Sequence, residues 1–289
     1  MRGSGSGAGD AQGVGGRRTL TVLVPTYNEE TNIAACLESV RFADEILVVD
    51  SFSSDATVAI ARRHGARVLQ RRFDTFARQK NWAIPQAAHE WLLLLDADER
   101  VTPGLGDEIQ GLLRRGPDHD GYWIGRDNYF LGRRMRHCGW GGDRVIRLVR
   151  REVARFADRE VHEAIELPGS VPVLRHRLEH YSFRSFAQYW GKIRSYSEWG
   201  ASQAYARGRR AGPATILART VGRFLKMYLL KLGFLDGAHG LVLSLLGAFS
   251  VYLKYARIWE MRLLETGRRD ESGAAGRAAG AADLPPRAP

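Results

Sequence analysis

The stretch EWLLLLDADER, residues 90–100, decides the fold. Trp91 and the four leucines after it form an apolar run too short for a helix and suited to a strand buried on both faces, the kind found inside parallel sheets. The run drops without a break into Asp96, Ala97, Asp98 and Glu99, so the acids sit at the strand's C-terminal end. In open α/β sheets, ligands bind in the crevice beyond the carboxyl ends of the strands. A carboxylate pair there is placed to hold something positive.

Working backwards, TLTVLVP (19–25) reads as a buried strand, and TYNEETNIAACLESV (26–40) as a helix with acids in its first turn. EILVVD (45–50) is the next strand, SFSSD supplies a capped turn, and ATVAIARRHGA (56–66) is a helix stopped near Gly65. RVLQ is a short strand, and a helix through FARQKNWAIPQAAH leads into the leucines. Strands alternating with helices predict right-handed crossover units in an α/β fold. Three strand ends then converge on one edge, carrying Pro25 with Thr26, Asp50, and Asp96 with Asp98.

Neither G-x-G-x-x-G nor G-x-x-x-x-G-K-[ST] follows a strand, so a diphosphate at this edge would lack a backbone cradle and would need a metal ion. Mg²⁺ or Mn²⁺ takes one or two carboxylates and completes its shell with phosphate oxygens and waters, which a D-x-D at a strand end can offer. Asp55 and Thr57 read equally well as caps of the following helix.

The motifs VLVPTYNEE, LVVDSFSSDAT, RQKNWAI and LLLLDADE, in this order and spacing, resemble the nucleotide-sugar half of family-2 inverting glycosyltransferases of the GT-A fold, a Rossmann-like mixed α/β sheet. CGWGGDRVIRLVRR, REVHEAI and LEHYSFRSFAQYWGKIRSYS resemble the bacterial branch that adds sugars to lipopolysaccharide core and related surface glycans. The similarity covers roughly residues 19–260. It implies that Pro25, Thr26, Tyr27 and Glu29 form a nucleotide-contacting turn, that Asp50 reads the base or ribose, and that Lys80 lies beside the nucleotide. It further implies Asp96 at the ribose, Asp98 and His180 on a divalent metal, and Glu163 as catalytic base, with His162 a second candidate. SFSSD departs from the acid and glycine that many relatives carry after the first aspartate. The donor implied is a nucleoside diphosphate sugar, a UDP-sugar first and ADP-heptose second, and the acceptor a glycolipid.

Trp140, set among glycines, offers an aromatic face to an acceptor sugar or to the core. Arg144 and Arg147 could steady phosphates, although the alternation in DRVIRLVRR reads as a strand with a basic exposed face. Two other readings of the D-x-D are a phosphohydrolase, whose motif would lie near the chain start, and a silent nucleotide-sugar-binding scaffold.

The 289 residues, 44% hydrophobic and 26% charged, exclude wholesale disorder and a multi-span membrane protein. Of the net charge of +11, residues 1–183 carry +1 and residues 184–289 carry +10. The basic third is drawn to an anionic surface. Its apolar pattern favours a membrane over nucleic acid: Leu217, Val221, Phe224, Leu225, Tyr228, Leu229 and Leu232 share one helical face, with Arg219, Arg223 and Lys226 opposite. LVLSLLGAFSVYL (241–253) is shorter than the ~20 residues of a spanning helix, and extending it backwards would bury Asp236. The faces read either as packed on the catalytic domain or as lying in a membrane interface; monotopic or interfacial attachment is favoured over a crossing, and the resemblance implies the inner face of the bacterial inner membrane. Two cysteines, Cys36 and Cys138, provide no disulfide framework and fit a reducing, cytoplasmic setting. The expected organisation is a disordered leader over 1–18, a catalytic domain over 19–183, a helical membrane-associating region over 184–267 and a disordered tail over 268–289.

Overall fold

The leucine run is β4 (Trp91–Leu94), flanked by β1 (Leu20–Thr26) in the computed structural model, which describes residues 17–157, 165, 167 and 169–282, with 266–282 described by backbone alone. Beyond β1 lie β2 (Glu45–Asp50) and β3 (Arg67–Gln70), all parallel. Side chains along β4 alternate between two cores. Trp91, Leu93 and Leu95 join Ile33, Leu37, Leu105 and Ile109 on one face, while Leu92 and Leu94 join Leu23, Ala77 and Ile84 on the other. Burial on both faces is why the strand has no polar alternation. Each fully buried leucine contributes about 1.5–3 kcal/mol.

The connecting helices are α1 (Ile33–Glu38), α2 (Thr57–Arg63) and α3 (Phe76–Ala83). α2 stops as expected, with Gly65 at φ +78° and the Ala66 N–H donating back to Ala61 O. α1 differs from the expected helix, because its first turn begins only at Ile33 and holds neither Glu29 nor Glu30. Those residues spend their polar groups across the crevice edge instead, the Glu29 N–H on Thr57 Oγ1 and the Glu30 carboxylate on the Ala56 N–H. Such local bonds compete with helix formation.

The chain continues through β5 (Glu99–Val101), α4 (Pro103–Arg115), β6 (Gly121–Phe130), β7 (Arg133–Arg134), β8 (Arg144–Arg150) and β9 (Val173–Phe183). The nine strands among the described residues form one mixed sheet in the order β3-β2-β1-β4-β8-β6-β9-β5, with β7 paired on β6. β8 runs antiparallel to β4. The chain walks outward from β1 to β3 and then returns to β1's other side at β4, so the strand order reverses between β1 and β4. Their carboxyl ends border that switch point, where α/β sheets take ligands.

Two compact units result: residues 1–127 with 142–180, and residues 128–141 with 181–289. The sequence reading put one division at 183/184 and had no counterpart for the excursion at 128–141, which lies with the helices. The second unit contains α5 (Phe186–Ala206), α6 (Pro213–Leu225) and α7 (Gly237–Ala282). Phe130, Met135, Tyr189, Ile193, Met227 and Leu243 form its main core. α7 continues to Ala282, through much of the expected tail, as the helix propensity of its alanines allows. The expected leader through residue 16 and the last seven residues lie outside the described residues.

Candidate active site

Asp96, Ala97 and Asp98 turn directly off β4, and the Glu99 N–H donates back to Asp96 O at 2.9 Å. Arg100 fastens this turn from beneath: its buried guanidinium donates to Ala97 O, Glu99 O and Asn32 O at 2.7–2.9 Å. The turn is thereby fixed before any ligand arrives. Asp98 is buried, and its Oδ1 lies 3.6 Å from His180 Nε2 on β9, where His180 is in register with Glu99. The structure thus brings together the two residues expected on a metal.

Asp96 keeps 36% of its side-chain surface open. Its carboxylate accepts from Arg147 Nη2 and lies 3.8 Å from the Lys80 ammonium. Burial pushes the Asp96 carboxyl up, but Arg147 first, then Lys80 and His180, outweigh it and hold the group below the usual carboxylate range. Lys80 is buried on α3 and lies 5.1 Å from the centroid of the Phe156 ring. Arg147 also donates to Glu99 Oε1 at 2.8 Å, and Arg126 reaches the same oxygen at 3.3 Å. Glu99 is fully buried, so two guanidinium groups and the Asp96 N–H compensate its charge. Burial opposes the charge on Arg147, and the carboxylates of Asp96 and Glu99 more than restore it.

Arg147 is the residue that the strand alternation misplaced. Of its two sequence readings, a phosphate contact and an exposed basic face, the second does not hold, because Arg147 is 5% exposed. On β6, Tyr122 faces Leu148 and Trp123 faces Ile146, so Arg147 is an extra residue, a β-bulge. Bulges re-aim side chains beside functional sites. Neither the bulge nor the partner strand can be read from the local spacing. A sequence signal did exist for the other half of the cluster: Glu99 follows the two aspartates without a break, and a third acid at a buried strand end needs a cation.

Asp50 lies at the end of β2. It is fully buried, and its oxygens accept from the Ser53 N–H and hydroxyl, from Gln70 Nε2 at 3.0 Å and from Thr26 Oγ1 at 3.4 Å. Its observed work is to pin the β2 and β3 ends. Around it, Asn28 accepts from the Ser54 N–H at 2.8 Å and donates its own N–H to Ser53 Oγ at 2.9 Å. Asp55, one residue before the N-cap of α2 at Ala56, accepts from the Thr57 and Glu30 N–H groups, and Thr57 is buried below. Glu29 Oε2 accepts from Asn32 Nδ2 at 2.7 Å. Thr26 is buried, Pro25 half-buried, and Tyr27 is 61% exposed above the crevice edge. Trp140 is half-buried at the edge of the second unit's core. It packs edge-on against Phe130 and tilted against Phe183 within the second unit. Glu163 and His162 lie outside the described residues.

Among the described residues no three His, Cys, Asp or Glu side chains gather as a metal site. A hard divalent ion at a phosphate does not require three. An oxygen and an imidazole nitrogen 3.6 Å apart can share one ion at about 2.1 Å each, leaving positions for diphosphate and water. Asp98 and His180 therefore fit such an ion.

The glycosyl transferase family 2 model matches residues 21–163, which spans β1 through β8 and every acid of the crevice. A glycosyltransferase of Rickettsia typhi is 28% identical over 266 residues, covering 85% of this chain and 88% of the relative. The lipopolysaccharide core biosynthesis glycosyltransferase LpsC of Rhizobium meliloti is 27% identical over 253 residues, covering 85% and 94%. Among solved structures, glucosyl-3-phosphoglycerate synthase from Mycobacterium tuberculosis, in complex with Mn²⁺, UDP and glucosyl-3-phosphoglycerate, aligns over 56% of this chain and 72% of its own at 18% identity, TM-score 0.40. Residues 21–163, which hold the switch point of the mixed sheet and its acidic turn, are thus similar to glycosyl transferase family 2.

Proposed function

We propose that the protein transfers a sugar from a nucleoside diphosphate donor, with inversion at the anomeric carbon, to a lipid-linked or lipopolysaccharide-core acceptor at the cytoplasmic face of the membrane. The observation that carries this reading is the pairing of Asp98 with His180 beside a cation-held Asp96. The match to the glycosyl transferase family 2 model favours this reading over the phosphohydrolase alternative. The acceptor class is supported by the LpsC relative, whose name assigns it to lipopolysaccharide core biosynthesis and which the chain covers almost entirely.

In this reading Asp98 and His180 would hold a Mg²⁺ or Mn²⁺ ion, which would supply positive charge to a diphosphate leaving group. Asp96 faces the ribose with its carboxylate kept ionised by Arg147 and Lys80. Lys80 adds positive charge close to the departing phosphates. Thr26, Tyr27 and Glu29 line the nucleotide edge, which Asp50 holds in shape from below. Glu163 takes the proton of the acceptor hydroxyl, a poor nucleophile until a base does so, and attack opposite the leaving group inverts the sugar.

The test is a screen of nucleotide sugars, UDP-sugars first and ADP-heptose as the second arm, for thermal stabilisation of the purified protein with and without Mn²⁺. At a donor concentration 100-fold above Kd, stabilisation of about 2.7 kcal/mol is expected. It should need the ion and disappear in Asp98→Ala. Stabilisation of Asp98→Ala equal to that of the wild type would overturn the assignment.

A further inference from the structure

The second unit exposes apolar side chains where a folded chain normally hides them. The row Leu217, Val221 and Leu225 on α6 is 42–67% exposed. The connection to α7 goes further, with Leu230 78%, Leu235 54% and Phe234 45% exposed. Large contiguous apolar exposure of this kind marks an interaction surface. Phe224 and Tyr228, expected on the same face, are half-buried and stacked on each other at 5.3 Å.

α6 and α7 form an antiparallel hairpin, with Met227 against Gly247 near the turn and Arg219 over the Tyr255 ring farther from it. The turn is tightly built. Leu232 takes a left-handed φ of +53°, and a side chain at Gly240 would come within 1.8 Å of Gly233 O. Its one acid, Asp236, faces inward. The carboxylate accepts from the His137 N–H at 2.8 Å and the Arg136 N–H at 3.4 Å, and His137 Nδ1 lies 3.0 Å away. The aspartate that seemed to forbid burial of this segment is thus 3% exposed and satisfied by its own unit. What the turn presents outward is Leu229, Leu230, Leu232, Phe234 and Leu235, with the exposed Lys231 among them and the exposed Lys226 just before.

By length and composition, residues 233–265 could cross a membrane. Packing argues otherwise. From Phe249 onward α7 lies along α5, through Trp190 on Phe249 and Ser197 Oγ to Ser250 O, and α5 carries the exposed Lys192, Arg194 and Glu198. A crossing would take those charges into hydrocarbon, at about 2.5–3.5 kcal/mol each near the centre.

We propose that the turn joining α6 and α7, residues 228–237, dips into the acyl region of one leaflet of an anionic membrane, with Lys226 and Lys231 at the headgroups and Asp236 folded inward. The partner is a lipid surface because the exposed side chains of the turn are five large apolar groups with cationic Lys226 and Lys231, whose long stems can carry their charges to the headgroups, the complement of acyl chains beneath anionic lipid. This rests on the membrane part of the proposed function and is independent of the donor chemistry.

The experiment is flotation of the full chain with phosphatidylethanolamine/phosphatidylglycerol vesicles, at low salt and at about 1 M, where the Debye length is about 3 Å. Wild type should float in both. Leu230→Glu, at the most exposed apolar position, should lower the bound fraction about tenfold at high salt, as a lost apolar insertion would. Lys226→Ala with Lys231→Ala should weaken binding at low salt alone. Tryptophan fluorescence gained in Phe234→Trp should be quenched by acyl-chain bromine. Flotation of Leu230→Glu equal to wild type, an unquenched tryptophan, or a dimer that Leu230→Glu dissolves while vesicles bind nothing, would each overturn the proposal, the last in favour of a second copy of this chain. Donor-dependent stabilisation of the same variants, measured alongside, separates loss of the anchor from failure of the glycosyltransfer reading.

Discussion

The acidic turn at 96–99 and the helical hairpin of α6 and α7 place charge and oil in opposite ways. In the turn, Glu99 and Arg147 are buried as ions, each compensated by the other and by a neighbour. In the hairpin, leucines stand in the open and the cations sit beside them. Buried ions are expensive and exposed leucines gain nothing in water, so neither arrangement is explained by folding alone. The first fits a site that must present fixed charge to a charged ligand. The second fits a surface whose solvent is not water throughout.

The contrast can be broken most forcefully at the chemistry. Glu163→Gln should reduce transfer by about 10³-fold or more while nucleotide-dependent stabilisation survives, since a general base typically contributes 10²–10⁴. Turnover near wild type would sink its role as base. Next comes Arg147→Met, which leaves Glu99 and Asp96 short of a cation. Thermal or urea unfolding should show a loss of about 3–5 kcal/mol, the cost of breaking a buried pair. A mild effect would mean that Arg126 alone suffices for Glu99.

Smaller still is Glu45, at the start of β2. Burial pushes its carboxyl up, but the Thr21 hydroxyl, the Ala88 N–H and Arg67 hold it below the ordinary range. A depressed folded pKa gives stability that is present above the ordinary glutamate value of about 4.3 and is lost as pH falls below it. Glu45→Gln should therefore cost about 1 kcal/mol at pH 7 and flatten the acid limb of the unfolding curve. The hairpin anchors the bottom of the scale. Leu230→Glu should leave stability in solution within about 0.5 kcal/mol of wild type, because a largely exposed side chain has little packing to lose.

The strands β1 to β4 and the acids at their ends were legible because hydrophobic continuity and turn residues are local signals. The pairing of Asp98 with His180 was reachable only through the family motif, since 82 residues of chain separate them. Arg147 was not legible, because its burial depends on a bulge against a strand 23 residues earlier in the chain. The burial of Asp50 was not legible, since the serine and glutamine that surround its carboxylate come from the turn after β2 and from the end of β3. The excursion at 128–141 joins the helical unit through contacts such as His137 with Asp236, 99 residues apart, which no window of sequence reports.

The extra residue in β8 has a consequence for anyone moving this chemistry elsewhere. Copying the letters D-A-D-E onto another parallel sheet would reproduce the acids but not the guanidinium that keeps them ionised and in place. That requires an antiparallel neighbour one residue out of step. Deleting position 147 would give a more regular ladder and a poorer enzyme, so the irregularity is the part of the strand that a graft must carry.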